Sequence, residues 1–321
     1  FKANFNLIGL MLDFPNVRDC DIAEWEAIVD EYILSAKVKN KQAVIIASLP
    51  ETLPKHIRDK CLESGIVPLQ GIKESIYAIN SSILTGQAWS NFNQLKFIKL
   101  KNRKNTLIKN YSEFESKKII EKYGIKIPKS VLSNSSSAIE DSKKIGFPIV
   151  IKINSKKIIH KTELKGVFTN VESETEVKKN INHLSKLGNS FLIEKMIKNK
   201  VAEIIIGIKV DDQFGPLIVI GSGGIYTELI NDSVTLLLPL TKQIVLDAIN
   251  NLRISKLLYG YRGKEEGDIN ALVETVLKLG KFVEKNASNL VEADINPLII
   301  CNKGKGVIAA DALIHYLEEI K

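Results

Sequence analysis

Four short segments carry side chains suited to chemistry. The first is Pro148-Ile149-Val150-Ile151-Lys152. Strand alternation puts Lys152 on the face opposite Ile151 and Ile153. An ammonium inside an apolar strand needs a partner or a route to water. A phosphate is a suitable partner; snorkelling to water from an edge strand is the competing reading. The second segment is Ile159-His160-Lys161-Thr162-Glu163, which follows Lys156 and Lys157. Nearby ammonium groups favour neutral imidazole. Neutral imidazole is a nucleophile, although a loop histidine by itself also reads as a surface residue.

The third segment is Gly221-Ser222-Gly223-Gly224. Successive glycines let backbone approach a ligand and aim N–H groups at an anion. It is neither the dinucleotide fingerprint nor the Walker pattern, and a tight turn explains it equally well. The fourth is the pair Asp294-Ile295-Asn296-Pro297 and Ala310-Asp311-Ala312. An amide carbonyl and a carboxylate on neighbouring strands suit Mg²⁺, which takes few protein ligands together with nucleotide phosphates. The alternative is turn chemistry at Asn-Pro.

The elements that must position these groups fall into two parts. Residues 1–85 alternate strand and helix signals: strands at Leu7–Leu12, Ala43–Leu49 and Ile66–Leu69, helices at Asp21–Ser35, Lys55–Glu63 and Lys73–Ile83. Such alternation predicts a parallel sheet with right-handed crossovers. Three strands are few for a complete doubly wound domain, so this reads as the last part of one. Residues 86–106, with Gly86 and an Asn/Lys-rich run, read as a linker. A second unit, 107–321, opens with the capping pattern Ser112-x-x-Glu115. It mixes paired strands with separate helices, an α+β arrangement. Its last strands are expected at Leu290–Ile295 and Gly306–Asp311, and His56, His183 and His315 are expected on helical faces or ends.

Composition narrows the classes. The 321 residues are 45% hydrophobic and 26% charged, as in ordinary globular proteins. No apolar run reaches the ~20 residues that span a bilayer. The chain starts at Phe1 without a signal-peptide pattern, so a start inside a longer protein is expected. The net charge is +8, yet Arg stands only at 18, 58, 103, 253 and 262, leaving 40 of 45 basic residues as Lys. Scattered Lys with 7% aromatics argues against a nucleic-acid surface. Three cysteines, at 20, 61 and 301, match neither a disulfide framework nor structural zinc, and fit a reducing cytoplasm.

Taken in order, the chemical segments resemble one family. Residues ~107–321 are similar to the ATP-grasp part of the NDP-forming acyl-CoA synthetases, whose members include the ADP-forming acetate–CoA ligases. The similarity rests on Gly146–Lys152, His160–Val167, Phe191–Met196, Phe214–Pro216, Gly223–Glu228, Gly260–Gly263, Glu292–Pro297 and Gly304–Val307 with Asp311. Residues 1–85, through Leu49–Pro54 and Gly65–Pro68, resemble the end of the flavodoxin-like CoA-ligase domain that precedes ATP-grasp in fused members.

The resemblance implies an acid–CoA ligase working through phosphohistidine: acyl-CoA + ADP + phosphate ⇌ acid + CoA + ATP. It implies that Lys152 contacts the nucleotide phosphates, that Arg262 helps neutralise phosphoryl charge, and that Gly166, Gly223 and Gly224 belong to the nucleotide-binding site. Glu194 would open the adenine-holding segment and Glu203 would meet the ribose. Asn296 and Asp311 would bind Mg²⁺, and His160 would carry the phosphoryl group. ATP or ADP, CoA and a small carboxylic acid are the implied ligands. Upstream CoA-binding and CoA-ligase domains are the implied partners, with homo-oligomerisation and neither nucleic acid nor membrane. The family often has Asp in place of Glu163 and Gly in place of Lys165. A regulatory, acyl-sensing part of a protein acetyltransferase with the same architecture is the alternative.

Overall fold

The computed structural model describes residues 5–15, 20–91, 98, 106–156, 158, 161, 164–211, 213–224 and 232–319. The chain divides into two compact units, Phe1–Leu95 and Lys96–Lys321.

The first unit runs β1 (Leu7–Met11), α1 (Ala23–Lys39), β2 (Gln42–Ala47), α2 (Lys55–Glu63), β3 (Val67–Gln70) and α3 (Ile72–Asn91). Its strands pair parallel in the order β1-β2-β3. β2 is a run of small and β-branched residues, which suits a strand buried on both faces. Its Ala43, Ile45 and Ala47 pack against Val29 and Ile33 of α1 and Ile57 and Cys61 of α2. The helix α3 continues past Gly86 to Asn91, so the start of the expected linker is helical. One exposed glycine costs a helix only ~1 kcal/mol, too little to end it. The rest of the expected linker, apart from Ile98 and Thr106, lies outside the described residues.

The second unit opens with β4 (Thr106–Asn110) and α4 (Glu113–Glu121), followed by β5 (Ser130–Ser133), α5 (Ala138–Ile145), β6 (Ile149–Ile153), β7 (Val167–Val171), α6 (Glu174–Leu184) and β8 (Phe191–Lys195). A four-stranded antiparallel sheet forms in the order β5-β8-β6-β7. Ile149, Ile151 and Ile153 point with Phe191 and Ile193 into a core made with Val177, Ile181 and Leu184 of α6. Val150, Lys152 and Glu194 therefore occupy the opposite face. β6 lies between β8 and β7, so Lys152 is not on an edge strand.

The remaining elements are β9 (Lys200–Asp211), β10 (Gly215–Ser222), β11 (Ser233–Leu237), α7 (Lys242–Asn251), α8 (Ser255–Leu258), α9 (Ile269–Asn286), β12 (Leu290–Cys301), β13 (Val307–Ala309) and β14 (Leu313–Glu319). They build a second sheet in the order β11-β10-β9-β12-β14-β4, with β13 also on β12. Helix α9 buries Leu272, Val276, Leu279 and Val283, spaced at three and four residues, against Ile204, Ile206 and Ile295 of the sheet.

Three expectations are corrected here. β12 does not stop at Ile295 but runs through Asn296-Pro297, where the pairing with β9 shifts register between Ile295 and Leu298. The strand expected at Gly306–Asp311 is only Val307–Ala309. His315 sits on β14, not on a helix. Pairing with β12, for example Ile314 opposite Ala293, overrides the helical appearance of this leucine- and glutamate-rich segment.

Candidate active site

Helix α4 begins where the capping pattern predicts. Ser112 Oγ accepts from the Glu115 N–H at 3.4 Å, and a Glu115 carboxylate oxygen accepts from the Ser112 N–H at 2.8 Å. This start places Glu113 and Lys117 one turn apart on the buried side of α4. Lys117 Nζ lies 2.7 Å from Glu113 and donates to both carboxylate oxygens of Glu194 on β8 at 2.8 Å.

Lys152 on β6 joins the same group. Its Nζ lies 2.5 Å from Glu113 Oε1, 3.1 Å from Glu194 Oε2 and 3.9 Å from Asp311 Oδ2, and it donates to the Ala310 carbonyl at 2.8 Å. Lys161 completes the cluster. It pairs with Glu113 and lies 3.3 Å from Asp311 Oδ2. Three ammonium groups thus face three carboxylates, Glu113, Glu194 and Asp311. Buried charges persist when paired and hydrogen-bonded in this way.

Burial disfavours ionised Glu113, but the attraction of Lys152, Lys117 and Lys161 outweighs it and holds the carboxyl well below the usual range. Burial likewise lowers Lys152, and Glu113, Asp311 and Glu194 raise it further than burial lowers it, so it stays protonated. Asp311 is shifted upward by burial and by Glu113, against the pull of Lys152 and Lys161. Asp294, two residues from Asn296, is pushed up to about 6 by burial and by Asp311 and Glu292.

Between the two sheets of this unit lies a cavity of about 400 Å³. Lys152, Glu194, Glu203, Asn296 and Asp311 all line it, together with the Lys195–Ile197 segment. One wall is therefore basic and acidic, another offers backbone after β8, and a third presents an amide carbonyl and a carboxylate. Two oxygen donors facing open space fit a hard divalent cation that keeps water or phosphate as its other ligands. Among the described residues no group of three or more His, Cys, Asp or Glu is arranged to hold a metal alone.

Gly166 and Gly223 flank this region for steric reasons. A Cβ on Gly166 would stand 2.8 Å from Ile153 Cγ2 and 2.9 Å from the Lys161 carbonyl oxygen. A Cβ on Gly223 would stand 2.8 Å from the Glu203 carbonyl, which accepts from the Gly223 N–H at 2.8 Å. Gly224 has φ 101°, a conformation that glycine adopts freely. Arg262 is not brought in: it is exposed, stands over the Tyr261 ring at 5.2 Å, and is not among the residues lining the cavity. His160 and Glu163 lie outside the described residues, as do residues 225–231 beyond the glycine run.

Sequence reasoning missed Glu113, Lys117 and Lys161 as members of the site. The signal for the first two was the Glu-x-x-x-Lys pair just inside a recognised helix cap. Nothing local says that such a pair is buried.

A family model described as ATP-grasp domain matches residues 102–315. The chain belongs to the ATP-grasp family. Within that family its relatives are ADP-forming acyl-CoA ligases. Acetate–CoA ligase (ADP-forming) II subunit beta of Pyrococcus furiosus is 32% identical over 212 residues, 63% of this chain and 89% of that protein. The 4-hydroxybutyrate–CoA ligase (ADP-forming) of Nitrosopumilus maritimus is 36% identical over 215 residues, 64% of this chain. The chain spans only 30% of that enzyme and 30% of acetate–CoA ligase (ADP-forming) II of Archaeoglobus fulgidus.

The ATP-grasp architecture also recurs in solved structures. Acetyl-coenzyme A synthetase 1 of Ca. Korarchaeum cryptofilum, solved with coenzyme A and Mg-AMPPCP and with its phosphohistidine segment pointing towards the nucleotide binding site, is 33% identical with a TM-score of 0.57. That comparison covers 64% of this chain and 92% of the other. No helix among the described residues of this ATP-grasp protein is long and apolar enough to cross a membrane.

Proposed function

We propose that this chain is the nucleotide half of an ADP-forming acid–CoA ligase, which interconverts acyl-CoA, ADP and phosphate with acid, CoA and ATP. The observation that carries this reading is the single cavity lined by Lys152, Glu194, Glu203, Asn296 and Asp311. In it, the segment after Glu194 flanks the adenine, Glu203 accepts from a ribose hydroxyl, and Lys152 faces the phosphates. Mg²⁺, held by Asn296 and Asp311, would spread phosphate charge and fix phosphate geometry.

His160 is the proposed phosphoryl carrier. In the ATP-forming direction its phosphoryl group passes to ADP: the P–N bond breaks as the bond to the β-phosphate oxygen forms, and the imidazole is left neutral. In reverse, neutral imidazole attacks the γ-phosphorus and ADP departs. The first unit is proposed as the end of a CoA-ligase-like domain. Its parallel sheet supports this. So does the 31% identity with acetate–CoA ligase (ADP-forming) of Methanocaldococcus jannaschii, which covers 81% of this chain, more than the second unit alone contains. CoA and the acid then belong to other domains of the same enzyme.

The test is to incubate the full-length protein with γ-labelled ATP and Mg²⁺ and to follow acid-labile phosphate. Label lost in His160→Ala supports the carrier role; unchanged label removes it. Lys152→Ala, folded but weakened in nucleotide binding, is the companion result expected.

A further inference from the structure

Of the three lysines in the buried cluster, Lys161 is the one next to His160 in sequence. It is held at both ends. Its ammonium rests on Glu113 and Asp311, and its carbonyl accepts from the Gly166 N–H at 2.7 Å. The cluster is already balanced, three positive charges against three negative. A divalent cation arriving at Asp311 adds two positive charges beside the ammonium groups that share this carboxylate, and it repels the one with least other support.

The partners decide which. Lys117 is 1% exposed and is fixed by Glu113 and by both oxygens of Glu194. Lys152 touches Glu113, Glu194 and the Ala310 carbonyl besides Asp311. Lys161 depends on Glu113 and on Asp311, the carboxylate the cation takes. We propose that Lys161 is a positioning residue: it seats the peptide beside His160 by occupying Asp311 and yields that carboxylate to the divalent cation. This rests on the assignment of Asp311 as a metal ligand. Metal occupancy and the seat of Lys161 are then antagonistic, and linkage makes the antagonism reciprocal.

The experiment is a Mn²⁺ titration of the nucleotide-free full-length protein, read by the loss of the free-ion electron paramagnetic resonance signal. Lys161→Gln, which keeps a donor but removes the charge, should bind Mn²⁺ about three- to tenfold more tightly than wild type. Lys161→Arg should return to the wild-type value. Gly166→Ala, which pushes on the Lys161 carbonyl, should also tighten Mn²⁺ binding. Unchanged or weaker Mn²⁺ binding in Lys161→Gln overturns the proposal, including the case where only nucleotide affinity falls, which would make Lys161 a phosphate contact. Asp311→Asn separates the two layers. If it weakens Mn²⁺ binding while Lys161→Gln does not tighten it, the metal site stands and the Lys161 proposal falls alone. If Asp311→Asn changes nothing, the metal assignment falls and takes the Lys161 proposal with it.

Discussion

Lys117 donates to both carboxylate oxygens of Glu194 at 2.8 Å, across 77 residues of sequence. The pair ties α4 to β8 and fixes the Glu194 side chain, leaving the backbone after it to line the cavity. Both side chains are almost wholly buried, at 1% and 2% exposure.

Removing Lys117 leaves two buried ammonium groups, Lys152 and Lys161, against three carboxylates, so one buried negative charge is uncompensated. Lys117→Met should destabilise the second unit by about 3–5 kcal/mol, measured by urea unfolding. The double variant Lys117→Met/Glu194→Leu should recover part of the loss, since the stranded carboxylate is gone. A Lys117→Met protein as stable as wild type would show that Lys152 and Lys161 alone compensate Glu113 and Glu194.

Lys165 has φ 52°, a left-handed conformation that costs an L-residue with a Cβ. It stands where the resembling family often has glycine. Lys165→Gly should therefore relieve backbone strain and raise stability by roughly 0.5–1 kcal/mol, net of the extra freedom glycine gives the unfolded chain. Thermal denaturation of the two proteins checks this; a lower midpoint in Lys165→Gly would contradict it.

Asp294 gives the site a pH signature. Its folded-state pKa is raised from 3.8 to about 6 by burial, Asp311 and Glu292. For an acid shifted upward, folding favours the protonated form. The associated stability is fully present below the ordinary pKa and is lost as pH rises through about 6. Asp294→Asn should thus be more stable than wild type by ~1–3 kcal/mol at about pH 7.5, with the gap closing near pH 4. Urea midpoints at the two pH values measure it. A gap of the same size at both would mean that Asp294 titrates normally.

Much of this was legible because the site uses local patterns. Lys152 broke the apolar run of β6, Gly223 and Gly224 stood together, and Asn296 and Asp311 stood close to apolar, strand-forming runs. Each is a short-range signal, and the fold gathers Lys152, Asn296 and Asp311 around one cavity. What was not legible depends on pairing across long separations. β14 became a strand through β12 and β4, and Lys117 became buried through Glu194. Arg262, which the resemblance implies serves the phosphates, stands exposed over the Tyr261 ring and is not among the residues that line the cavity.

Gly223 connects these observations to ligand binding. Its N–H bonds to the Glu203 carbonyl, and a Cβ there would meet that carbonyl at 2.8 Å, closer than real side chains approach backbone. Gly223→Ala must push the glycine strand away from β9 at the residue proposed to hold the ribose. Overpacking of this kind costs ~1–3 kcal/mol, divided between stability and the shape of the cavity. Nucleotide affinity should fall about tenfold, equivalent to ~1.4 kcal/mol, while the protein stays folded at room temperature. Isothermal titration with a non-hydrolysable ATP analogue and Mg²⁺ reads the affinity, and a parallel melt reads the stability. Unchanged affinity together with a lowered melting point would confine Gly223 to a structural role and move the ribose contact away from Glu203.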